Sequence, residues 1–144
     1  MFTVDQIKAA HAKVKSGSDF PAYIKEMKQL GVTAFETWVV DSHTEYFGID
    51  NYATQSQPMY AALDIANVCN NEKFEHLLSI HQQGQTDYIT FCNDCATTGI
   101  EKWFVSLIDM TCTYFDKAAN KVLTERIPGQ YGKCFYFMLC WVLS

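Results

Sequence analysis

The chain lacks any excess of positive charge. Its 144 residues carry 11 Lys and Arg against 16 Asp and Glu, a formal net charge of -5. Such a balance disfavours a general binder of nucleic acid or anionic membranes, which needs basic surface. Nor is there an apolar run of the roughly 20 residues that a membrane helix requires. The longest, Cys134 to Leu143, spans ten. The start Met1-Phe2-Thr3-Val4-Asp5 has neither the basic opening nor the apolar stretch of a secretory leader, so the expected compartment is the cytoplasm. There thiols stay reduced, and Cys69, Cys92, Cys95, Cys112, Cys134 and Cys140 are expected free. No glycine-rich phosphate loop, dinucleotide fingerprint or nucleophile elbow occurs, and no cofactor is assigned. What is present is an ordinary globular composition, 49% hydrophobic and 19% charged, sized for one domain.

Apolar spacing predicts helices over residues 3–15 and 19–30. Ser18 or Asp19 serves as the second cap, Pro21 suits its first turn, and Gly31 stops it. The pattern then switches to period two. Strands are expected over 32–40 and 44–49, with a turn at Asp41-Ser42-His43. Residues 50–58 read as a loop or an edge strand, because Pro58 cannot donate to a ladder. Helices follow at about 60–69, 72–83 and 87–97, the last stopped by Gly99. A hairpin over 100–108 and 111–115 and a strand over 121–127 complete the domain.

Displacing the chain by 68 residues aligns it with itself. Asp19-Phe20 falls on Asp87-Tyr88, Tyr23 on Phe91, and Gly31-Val32 on Gly99-Ile100. Phe35 falls on Trp103, Val39 on Leu107, Asp41 on Asp109, and Tyr46-Phe47 on Tyr114-Phe115. The expected architecture is therefore α+β: two pseudo-repeated helix–helix–β-hairpin halves, about 3–59 and 71–127. They form one antiparallel sheet with helices packed mainly on one face. The domain is expected to span 1–128, and 129–144 reads as an apolar tail. Alternation puts Phe35, Thr37, Val39, Tyr46, Trp103, Val105, Leu107 and Tyr114 on the face toward the helices. The opposite face carries Glu36, Trp38, Val40, Phe47, Lys102, Phe104, Ser106 and Phe115. An antiparallel sheet usually leaves that face polar. Here it is largely apolar, so a cover is expected: the other half, a partner subunit, a ligand or the apolar tail.

Candidate chemistry is sparse. Glu36 and Lys102 could orient a polar ligand among Trp38, Phe47, Phe104 and Phe115, and these six are the candidate binding residues. Cys92 and Cys95 have the spacing of half a zinc site or of a redox dithiol. No second such pair exists, and under the 68-residue shift they fall on Ile24 and Met27, apolar helix positions. Core packing is the simpler role. His43 beside Asp41 is a candidate acid–base pair, although Thr111 replaces the histidine in the second half. No catalytic residue and no metal ligand is assigned.

Several blocks carry a resemblance when read in order: Phe2-Thr3-Val4-Asp5-Gln6-Ile7, Phe20-Pro21-Ala22-Tyr23, Leu30-Gly31-Val32, Thr90-Phe91-Cys92, Cys95-Ala96 and Met110-Thr111-Cys112-Thr113-Tyr114. Over residues 1–128 the chain resembles the uncharacterised bacterial and prophage-borne family typified by the E. coli protein YbcV, sometimes labelled phage envelope protein. The resemblance implies a prophage or enterobacterial origin and no particular reaction. The expected function is a non-enzymatic binding or interaction module for a small molecule or a protein. Its alternatives are a small enzyme or redox/metal protein using Cys92, Cys95 or His43, and a phage-structural protein that self-associates into a homo-oligomer.

Overall fold

A computed structural model describes residues 1–15 and 19–127. The apolar tail at 129–144 lies outside the described residues, as does the break expected at residues 16–18. The elements run α1 (Val4–Ala12), α2 (Phe20–Leu30), β1 (Ala34–Trp38), β2 (Thr44–Phe47), β3 (Ala53–Gln55), α3 (Asn71–Gln82), α4 (Tyr88–Thr98), β4 (Ile100–Ser106), β5 (Thr111–Asp116) and β6 (Lys121–Arg126). The six strands form one antiparallel sheet in the order β3-β2-β1-β4-β5-β6. The class is α+β.

Local chemistry explains the helix ends. Thr3 and Gln6 close a capping box at α1. Asp87 accepts the Thr90 N–H at the start of α4. Asp19 occupies the corresponding place before α2 but caps no helix N–H. Its carboxylate accepts from the Lys15 N–H instead. Gly31 and Gly99 end α2 and α4 in the left-handed region, at φ 102° and 91°.

Residues 60–69 depart from expectation: they form no helix. Tertiary partners take their backbone donors. The N–H of Leu63 bonds the Val40 carbonyl, and Ala66 bonds Ala96, while the flanking Met59 and Asn70 bond Asp41 and Thr98. Helix propensity yields to this crosslinking of the β1–β2 turn to α4. The polar stretch after Asp50 contains the short edge strand β3.

Sheet alternation holds through the centre. Phe35, Thr37, Val39, Trp103, Val105, Leu107 and Tyr114 are buried, and Phe20, Ile24, Met27, Phe74, Phe91, Cys92 and Cys95 from the helices join that core. The β1–β4 register is also symmetric about its centre. β1 and β4 pair about Glu36↔Phe104, two positions one offset of 68 apart. Val39 N–H donates to Glu101 O and Leu107 N–H to Thr33 O, each at 2.9 Å, and both donors and acceptors are again related by that offset. Phe35 faces Tyr46 across β1–β2 as Trp103 faces Tyr114 across β4–β5. The turn residues Ser42 and Met110 both have positive φ, 62° and 55°.

The two capping glycines should respond differently to a methyl group. A Cβ at Gly31 meets only Phe2 Cδ1, at 3.8 Å, whereas one at Gly99 lies 2.7 Å from Cys69 Cα and 2.8 Å from Val68 O. Gly31→Ala is expected to cost about 1–2 kcal/mol from backbone strain alone. Gly99→Ala should cost roughly 1–3 kcal/mol more, because backbone has to move. Urea denaturation of both variants measures the gap. Equal costs would mean that the segment before α3 yields freely.

Candidate functional site

On the outer face of the sheet, register gathers part of the candidate set. Lys102 stands across from Trp38 on one side and Phe115 on the other. Its Nζ is 2.7 Å from Glu36 Oε1, 4.7 Å from the Trp38 ring centroid and 5.4 Å from that of Phe115. A cation between two rings and a carboxylate is held by charge and by the ring quadrupoles together. Phe104 sits opposite Glu36, and Phe47 lies opposite Ala34 at the end of β1. Trp38 also stacks on the His43 ring, with centroids 6.1 Å apart and planes 7° apart. His43 Nδ1 approaches Asp41 Oδ1 at 2.5 Å, and the His43 backbone N–H donates to the same oxygen. Burial acts to raise the Asp41 pKa, but these bonds and the His43 charge outweigh it and hold the carboxyl below its ordinary value. Asp41 thus serves as the turn's acceptor.

The cysteines have another environment. Cys92 and Cys95 are fully buried. Burial pushes the Cys92 thiol up, only partly opposed by the hydroxyls of Tyr60 and Tyr88. A raised thiol is the reverse of an activated nucleophile. Among the described residues no group of three or more His, Cys, Asp or Glu side chains is placed to hold a metal.

A cavity of about 350 Å³ lies on the inner side of the sheet. Phe35 and Thr37 of β1, Thr44 and Tyr46 of β2, and Trp103 of β4 line it. So do Ile7, Lys8 and His11 of α1, Tyr23 of α2, Tyr88 of α4, Ser42 of the hairpin turn and residues 56–59 after β3. None of the six outer-face candidates belongs to this lining. Strand pairing creates it: Thr37 stands between Thr44 and Trp103 in adjacent strands. Hydroxyls meet inside. Thr37 Oγ1 and Thr44 Oγ1 are 2.8 Å apart, and Ser42 Oγ and Tyr88 Oη 2.6 Å. Ser56 Oγ accepts the Thr44 N–H. Each hydroxyl has one proton and two acceptor positions, so a hydroxyl pair consumes one proton and leaves the other to bond elsewhere. Burial raises Tyr23 well above its ordinary phenol value, and Tyr46 adds to the effect. Burial also pushes Tyr46 up to about 12, against a bond from Thr44. Both phenols keep their protons throughout the neutral range.

The family model described as Protein of unknown function (DUF1398) matches residues 8–126. The chain belongs to the DUF1398 family. No curated protein matches it. The match spans every described strand, and its description assigns no activity. In this DUF1398 chain, the cavity hydroxyls are hidden from sequence reasoning because alternation assigns Thr37 and Tyr46 to a plain core row. A signal was nevertheless present. Tyr23, Thr37, Ser42 and Thr44 correspond, at the 68-residue offset, to Phe91, Val105, Met110 and Cys112. Each exchange removes a hydroxyl.

Two measurements check this electrostatic picture. In a double-mutant cycle, Glu36→Gln and Lys102→Met should show a coupling of about 0.5–3 kcal/mol. A coupling of zero would leave Lys102 held by its rings alone. His81 is buried, stacked on Phe91 at 4.4 Å, with Nδ1 bonded to Thr86. Burial lowers its pKa below the ordinary value of about 6.5, against the opposing Thr86 bond and Asp87 charge. The unfolded chain therefore takes up the proton first. The His81 contribution to stability is complete above about pH 6.5 and is lost as pH falls through the lower folded value. Melting curves from pH 7.5 to 5 should fall less steeply for His81→Phe than for the wild type; equal slopes would rule the linkage out.

Proposed function

We propose that this DUF1398 domain is a non-enzymatic binding module and that its ligand is a small organic molecule held in the inner cavity. One observation carries the reading: Tyr23, Thr37, Ser42 and Thr44 bring hydroxyls to one cavity, and the residues 68 positions later, Phe91, Val105, Met110 and Cys112, have none. Phe91, Val105 and Cys112 are buried and fill their part of the core without a cavity-lining hydroxyl. The fold therefore tolerates apolar groups at such positions. Burying polar groups costs free energy unless each is bonded, so their retention on one side needs a reason beyond folding. A volume near 350 Å³ matches the smaller ligand pockets, which combine aromatic walls with a few convergent polar groups.

The comparison of halves rests on an internal duplication, which is part of the proposal. Its support is the β1–β4 register centred on Glu36↔Phe104, the matched bonds of Val39 and Leu107, and the shared left-handed sites at Gly31, Gly99, Ser42 and Met110. Domain limits of 1–128, a prophage origin and a cytoplasmic location belong to the same reading. They rest on sequence and on the YbcV resemblance; no helix among the described residues is long and apolar enough to cross a membrane.

A second reading places a partner on the outer face, at Glu36, Trp38, Phe47, Lys102, Phe104 and Phe115. The observation that favours it is the Lys102 cation seated between two rings on a largely apolar sheet surface. Against it, the Lys102 charge already has an internal carboxylate. A nucleophilic or redox role for Cys92 and Cys95 draws no support from two buried thiols, one of them pushed up by its surroundings.

The test transfers the apolar pattern. A triple variant, Tyr23→Phe with Thr37→Val and Thr44→Val, should fold with stability within about 1 kcal/mol of the wild type, because both members of the threonine pair are replaced together by groups of the same shape. A fragment screen followed by amide and indole NMR should move the Trp103 indole and the Ser42 and Thr44 amides in the wild type. The variant should lose polar fragments by tenfold or more. A destabilisation above about 3 kcal/mol would return the hydroxyls to a structural role. A silent wild-type screen would refute the binding reading.

A further inference from the structure

Resting on the cavity reading, we infer that the ligand is an anion, and specifically a small monocyclic aromatic carboxylate. The charge of the lining is the first ground. The chain carries 16 Asp and Glu, yet none lines the cavity among the described residues; Lys8 is the one formally charged side chain that does. Lys8 enters no ion pair among the described residues, unlike Lys13 and Lys102. Lys8 combines an exposed position on α1 with a place in the lining. His11, one turn further along the same helix, lines the cavity beside the Tyr23 ring. In a low-dielectric enclosure, a carboxylate-free lining with one cation favours a negative guest and rejects a positive one.

The donors give the second ground. Tyr23 and Tyr46 keep their protons, and a protonated phenol donates readily to a carboxylate oxygen. Trp103 also lines the space. The shape gives the third. Phe35, Trp103, Tyr23, Tyr46 and Tyr88 supply aromatic walls, which favour a flat ring at edge or face. The volume equals that of roughly a dozen water molecules at ~30 Å³ each, room for one ring with a short acidic arm.

The experiment compares benzoate, benzamide and benzylamine, three rings of similar size and different charge. Titration calorimetry and the Trp103 indole resonance read each one against the wild type, Lys8→Met and Lys8→Arg. Benzoate should bind the wild type at least about tenfold more tightly than benzamide, and benzylamine should not bind. Lys8→Met should reduce benzoate to the benzamide level, while Lys8→Arg keeps the preference. Lys8 is exposed, so neither variant is expected to disturb folding. If benzamide or benzylamine binds as well as benzoate and moves the same indole signal, the anion inference fails and the cavity reading stands. If none of the three moves that signal, both fall.

Discussion

The antiparallel pairing of β1 with β4 is the constraint on which the rest of this molecule depends. It joins two hairpin units through their first strands and makes six strands one sheet. Trp103 of β4 is set beside Thr37 of β1, so a wall of the cavity comes from a residue more than sixty positions away. On the other face the same register brings Lys102 against Trp38, within reach of Glu36. Without this pairing neither cluster exists.

Across that sheet the two interiors differ in chemistry. Around Tyr114 the core holds Phe74, Trp103 and Cys112, all buried. Around Thr37 and Thr44 it holds hydroxyls that bond one another. A packed aromatic interior gains dispersion energy from its contacts. A hydroxyl interior is stable only while its donors and acceptors are matched.

Much of this was legible in the residues. Gly31 and Gly99 marked helix ends because left-handed φ excludes most other residues. Alternation separated Phe35, Val39, Trp103 and Val105 from Glu36, Trp38, Lys102 and Phe104, because a strand turns successive side chains to opposite faces. Cys92 and Cys95 read as core residues and are buried there. Residues 60–69 misled, since their apolar spacing suits a helix while their N–H groups bond Val40 and Ala96. That Glu36 and Lys102 share a face was legible from alternation; their 2.7 Å approach came from the β1–β4 register, and the cavity was not legible. A threonine in a core row signals a site only when its neighbours on other strands carry hydroxyls too.

Local order in this protein follows from the chain itself: helix caps and stops, strand alternation and the hairpin turns are properties of short stretches, governed by backbone sterics and side-chain period. Tertiary structure alone decided that Tyr23, Ser42, Thr44, Tyr88 and Trp103 surround one space, and that Lys8 lines it with no carboxylate beside it. Those residues come from six separate elements and turns. Their meeting depends on sheet order and helix placement, which no local pattern encodes.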